Sequence, residues 1–125
     1  MYVQTSGTHS TNSGSFEPIP GLSLTLPSGA GGSMLVILNL PNPYASGNNY
    51  PGATFGISAA GVMSPVVASF TSGDQSPSSS GRVPTTLVVS VPLTDASQTV
   101  TAMWYGVRGS TVIIDTPATL SATFG

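Results

Sequence analysis

Lysine is absent from this chain of 125 residues, and arginine occurs twice, at Arg82 and Arg108. With four acidic residues and a net charge of −2, the protein has no basic surface to neutralise phosphates, which argues against nucleic acid as a partner. Cysteine is also absent, so neither a disulfide framework nor a thiolate nucleophile is available and the fold must hold by packing. The longest strongly apolar run, Met34 to Leu40, is far shorter than the ~20 residues that cross a bilayer. Direct membrane insertion is therefore not expected, and the first residues carry neither the basic start nor the apolar stretch of a signal peptide.

The side chains of catalysis are equally scarce. His9 is the single histidine and lies in a polar stretch at the start of the chain, a poor place for a Ser-His-Asp relay. Glu17, Asp74, Asp95 and Asp115 are the four carboxylates, and none lies near another in sequence. Turn and cap roles account for Asp74 and Asp95 without chemistry. There is no Cys or His cluster for zinc and no Asp-x-Asp loop for calcium, so no metal or other cofactor is expected. Gly29-Ala30-Gly31-Gly32 lacks the lysine of a phosphate loop and leads into a strand, which makes it a turn. No catalytic residue is assigned, and the protein is not expected to be an enzyme.

What the chain does contain is strand pattern and turn chemistry. Its length fits one domain, and 39% hydrophobic residues can fill a core. Residues 1–15 are small and polar and are expected to form an arm ordered only by contact, ahead of a single domain from 16 to 125. Leu22, Leu24 and Leu26 alternate with Ser23 and Thr25, the period of a strand with one buried face. Met34 to Leu38 is continuously apolar and belongs in the middle of a packed sheet. The stretch from Pro41 to Gly52 is rich in turn-forming residues and reads as a long shaped loop. Further strands are expected at Thr54–Ser58, Val62–Thr71, Thr85–Val91, Val100–Tyr105, Thr111–Asp115 and Ala118–Phe124, with a polar loop over residues 72–81. This is the spacing of an all-β sandwich or barrel. No segment has helical periodicity.

Few charges also leave sheet edges poorly protected. A closed oligomer would bury exposed apolar faces, while a monomer kept soluble by Ser, Thr and Asn is the alternative. Trp104 and Tyr105 are strand neighbours and should point to opposite faces, with Trp104 in the core or an interface. Tyr44, in the Pro-rich loop, offers a flat ring and a hydroxyl either to a sugar or to its own loop. The two arginines sit beside glycine and hydroxyl residues, in Ser79-Ser80-Gly81-Arg82 and Arg108-Gly109-Ser110. A guanidinium fork among small hydroxyls suits a polar, uncharged ligand held by paired hydrogen bonds.

The stretch from Val36 to Gly52, with Gly81-Arg82-Val83-Pro84, Val107-Arg108-Gly109-Ser110, Ile114-Asp115 and Ala118-Thr119-Leu120-Ser121-Ala122, resembles the TNF-like fucose-binding lectin domains found at the N-terminus of bacterial two-domain superlectins. The resemblance runs from Pro18 to Gly125, in the same order and with nearly the same spacing. It implies an all-β, TNF-like jelly-roll β-sandwich assembled as a homotrimer, with metal-independent sites for fucose and fucosylated glycans between neighbouring subunits. One subunit would contribute Arg108 and Thr71, with Ser72 beside it; its neighbour would contribute Tyr44, Ser79, Ser80 and Arg82. Ser80 replaces a threonine but keeps the hydroxyl, and Ser72 and Thr54 stand where the family has tyrosines, so less apolar contact with the ligand is expected. An acidic residue ahead of Phe70 is also lost. Such a protein is expected to be secreted or cell-surface and to serve adhesion, three weak sites gaining by multivalency. The competing expectation is a structural or non-glycan-binding TNF-like trimer whose arginines stabilise the subunit interface.

Overall fold

The structure is a computed structural model that describes residues 1–47, 49–75 and 79–125; Asn48 and residues 76–78, part of the expected polar loop, lie outside the described residues. Among the described residues twelve strands follow one another: β1 (Tyr2–Gln4), β2 (His9–Thr11), β3 (Glu17–Leu26), β4 (Ser33–Leu40), β5 (Tyr44–Ser46), β6 (Gly52–Ala59), β7 (Val62–Met63), β8 (Ala68–Thr71), β9 (Thr85–Pro92), β10 (Gln98–Val107), β11 (Thr111–Ile114) and β12 (Thr119–Phe124). Among the described residues there is no helix.

Period-two alternation decides which face of each strand is buried. In β4 it is Met34, Val36, Leu38 and Leu40, set opposite Val91, Val89, Leu87 and Thr85 of β9. β12 pairs with the other edge of β4 and adds Leu120 and Ala122, with β1 outside it. These four strands form one antiparallel sheet in the order β1-β12-β4-β9. The second sheet runs β3-β10-β6-β7, with β8 also on β6. It turns inward Leu22, Leu24 and Leu26 of β3, Val100, Ala102 and Trp104 of β10, and Ala53, Phe55 and Ile57 of β6. The two inner faces share one core, so the architecture is an all-β sandwich. Pro18 and Pro20 fit into β3 because it is an edge strand with no partner beyond it.

A third, smaller sheet, β2-β11-β5, carries Tyr44. The polar first fifteen residues contribute to it and to the first sheet. β1 lies along β12 and β2 along β11. Backbone bonds and hydroxyls tie this segment down, with Val3 packed against the core: Thr5 and Ala118 exchange two bonds of 2.9 Å, and Thr11 bonds Glu17.

Other elements differ in extent from the sequence expectation. The single strand expected from Val62 to Thr71 is broken into β7 and β8. Pro65 has no N–H to give a ladder, and Ser64 closes a local turn by accepting a bond from Val66 N. Met34–Leu38 is central in its sheet, yet Leu35 faces outward and is exposed. Within the long Pro-rich loop, Tyr44–Ser46 forms a strand, β5, and β6 begins already at Gly52. Trp104 is buried opposite Phe55, whereas Tyr105 points the other way and meets the edge of Phe16 at 4.8 Å.

Candidate binding site

The segment around Arg82 is stitched to β5. Ser80 N donates to Ala45 O at 2.7 Å, Ala45 N donates back to Ser80 Oγ at 2.9 Å, and Val83 N donates to Pro43 O at 2.9 Å. Ser79 bridges to Ser46. Gly81, at φ +73°, lets the chain turn between Ser80 and Arg82, a conformation that costs glycine little. These contacts bring Tyr44, Ser79, Ser80 and Arg82 together on one surface. Ser80 Oγ also donates to Gly81 O at 2.8 Å, so its proton is already committed, while Ser79 Oγ accepts from Gly81 N at 2.9 Å.

The guanidinium of Arg82 is held on three sides. Nη1 and Nη2 donate to Asp115 Oδ1 and Oδ2 at 2.5 and 2.8 Å, an end-on bidentate pair, and Nη1 also donates to Asn42 O at 3.0 Å. The Tyr44 ring lies 4.8 Å from the guanidinium carbon. Hydrogen bonding and attraction between opposite charges raise Arg82 above its ordinary pKa and hold the Asp115 carboxyl below its own, partly opposed by desolvation. Asp115 lies just beyond the end of β11, where the sequence offered no spacing that would link it to a residue 33 positions earlier.

Arg108 is held differently. Val107 O accepts from Ser110 N at 3.1 Å across a tight turn whose two central residues, Arg108 and Gly109, have φ of +52° and +75°. Two successive positive φ values are what a type I′ turn requires, and they are rare for a long side chain. The turn is pressed against β10, since a Cβ on Gly106 would lie 2.0 Å from Ser110 O. From it the guanidinium reaches the loop before β6, where Nε donates to Asn49 O at 2.9 Å and Nη2 to Tyr50 O at 2.5 Å, beside the Tyr50 ring at 5.8 Å. Tyr50, also at positive φ, was not singled out from the sequence; its signal was its position in a loop rich in Asn, Pro and Gly. Thr71 pairs with Gly52, and Ser72 N donates to Pro51 O at 2.7 Å, so both reach the Arg108 side.

The seven candidate residues therefore fall into two groups: Tyr44, Ser79, Ser80 and Arg82 in one, Thr71, Ser72 and Arg108 in the other. The four residues of β11 stand between the Arg108 turn and Asp115, about 13 Å at the usual strand rise. Thr54 is buried in β6 and its hydroxyl meets Ser69 Oγ at 2.7 Å. His9 faces Ser6 O at 2.9 Å in β2. Among the described residues no group of His, Asp and Glu converges on a point that could hold a metal ion.

Hydroxyls and guanidinium groups thus gather on the surface of an all-β sandwich. The profile of the Bc2l-C N-terminal domain family matches residues 1–123, and the chain belongs to that family. Membership supports a carbohydrate-binding, non-catalytic role. No curated protein sequence matches the chain. Among solved structures, the insecticidal delta-endotoxin Cry8Ea1 of Bacillus thuringiensis is similar over 93% of this chain and 19% of its own, with 15% identity and a TM-score of 0.48. Dimeric latent PorU of Porphyromonas gingivalis is similar over 94% and 11%, with 14% identity and a TM-score of 0.48. The CBM36-1 domain of a multidomain xylanase from the hindgut metagenome of Trinervitermes trinervoides is similar over 97% and 95%, with 15% identity and a TM-score of 0.45. The chain thus spans less than a fifth of the first two proteins.

Proposed function

We propose that this protein is a lectin that recognises fucose and fucosylated oligosaccharides without a metal, at sites between neighbouring subunits of a TNF-like jelly-roll homotrimer. The observation that carries the reading is the division of its polar groups. In one chain Arg82 gathers with Tyr44, Ser79 and Ser80 along β5, and Arg108 with Thr71 and Ser72 around the loop ahead of β6, which we read as two half-sites. Two copies set side by side would close one half on the other. A monosaccharide hydroxyl both donates and accepts, so guanidinium donors and Ser or Thr oxygens complement it without any net field. Glycan-array binding and calorimetry with L-fucose test the reading, alongside light scattering for the oligomer. Arg82→Ala and Arg108→Ala should each weaken binding at least about 100-fold, in line with loss of a central charged donor, while the trimer persists. Unchanged binding in both variants would sink the proposal.

A second reading has its own support. Both arginines bond to groups of their own chain, Arg82 to Asp115 and Asn42 O, Arg108 to Asn49 O and Tyr50 O. On that reading they brace loops that pack between subunits, and the same substitutions would dissociate the oligomer in light scattering.

A further inference from the structure

We propose that Asp115 fixes both the direction and the charge preference of the Arg82 half-site, so that this half takes two adjacent hydroxyls of a neutral sugar and rejects an anion. The inference rests on the lectin reading above and goes on to name what one arginine recognises.

A guanidinium has five N–H donors in fixed directions. The carboxylate of Asp115 takes the two that point forward between Nη1 and Nη2, and Asn42 O takes the second Nη1 hydrogen. What remains is the lateral fork, Nε–H and the outer Nη2–H, which run side by side and meet no acceptor among the described residues. The Arg82 side chain is 46% exposed, with its guanidinium carbon 4.8 Å from the centre of the Tyr44 ring. Two parallel donors match two neighbouring oxygens. A vicinal diol supplies them; so does a carboxylate or sulfate. Charge separates these ligands, because Asp115 already neutralises Arg82 and leaves no net attraction to repay the desolvation of an anion. Without Asp115 the guanidinium would keep only Asn42 O and the Tyr44 ring to orient it and would carry an uncompensated charge. Asp115 touches the ligand through Arg82 alone and is a positioning residue.

The test uses methyl α-L-fucoside, its 2-, 3- and 4-deoxy analogues, and inorganic sulfate against chloride at matched ionic strength, with wild type and Asp115→Asn. Arg108 is present in both proteins, so the readout is the difference between them: sulfate should compete more weakly against wild type than against the variant. In Asp115→Asn the fucoside should bind about tenfold more weakly, as expected when a charged donor loses its orientation, and sulfate should compete about tenfold better. The penalty for deoxygenation should shrink in the variant at two adjacent ring positions and stay unchanged at the third. Equal sulfate competition in wild type and Asp115→Asn, or in wild type and Asp115→Ser where the first variant does not fold, overturns the inference. Coupling to one hydroxyl, or to two that are not adjacent, overturns it as well. If wild type binds no fucoside, the lectin reading fails instead; direct sulfate titration, expected to show tighter binding in Asp115→Asn than in wild type, still decides the role of Asp115.

Discussion

Arg82 lies against a carboxylate, a tyrosine ring and a carbonyl, on a backbone outside the left-handed region; Arg108 lies against two carbonyls and a more distant tyrosine ring, on a residue whose φ is +52°. The first is oriented by charge and costs its backbone nothing. The second is aimed by a strained turn, and it keeps its charge unneutralised among the described residues. A non-glycine residue in this conformation costs on the order of 1–3 kcal/mol and persists only when its surroundings over-determine it. Here the surroundings are the close approach of Gly106 to Ser110 and the grip on the loop ahead of β6. The contrast shows how one side-chain type can be preset by electrostatics in one place and by backbone geometry in another.

The largest break in this contrast comes from Gly106→Ala. Its Cβ would fall 2.0 Å from Ser110 O, a backbone atom that cannot retreat without moving the turn. We expect a loss of about 3 kcal/mol or more in urea unfolding, with Arg108 displaced and the Arg82–Asp115 pair intact by NMR. A smaller effect separates Arg108→Gly from Arg108→Ala. Both lose the guanidinium, but alanine keeps the left-handed strain, so the glycine variant should be more stable by about 1 kcal/mol in the same assay.

Acid gives a third, still smaller, handle. The Asp115 carboxyl is held below its ordinary value of 3.8, so its contribution is fully present above that value and is lost as pH falls through its lowered pKa. The difference in melting temperature between wild type and Asp115→Asn should be flat from neutrality down to the ordinary carboxylate range and shrink below it. For Arg108→Ala the difference from wild type should show no such step, because the partners of Arg108 are carbonyls. The smallest expected effect belongs to Tyr50→Ala, which removes the ring beside Arg108 and should cost about 0.5–1 kcal/mol of stability.

Much of the sandwich was legible because burial writes a period of two into strands such as Leu22-Ser23-Leu24-Thr25-Leu26, all three leucines being buried. Strands held mainly by backbone bonds left no such mark. β1 and β2 read as a polar arm because their cohesion lies in N–H···O bonds and in the hydroxyls of Thr5 and Thr11. The β-branched run through Val66 and Val67 suggested a continuous strand, although these side chains are exposed and Pro65 interrupts the ladder. For the site, rarity drew attention to both arginines, and the glycine and hydroxyl residues beside them pointed to a polar, uncharged ligand. The pairing of Arg82 with Asp115 had no local signal, since it depends on where β11 ends relative to β5.

The mutual cancellation of Arg82 and Asp115 also governs how a ligand arrives. A bidentate pair at 2.5 and 2.8 Å presents a short dipole, whose field fades within a few ångströms of the surface. Encounters at this half are left to unassisted diffusion, and their rate should barely respond to added salt. Discrimination among sugars must then be expressed after contact, in how long each one stays.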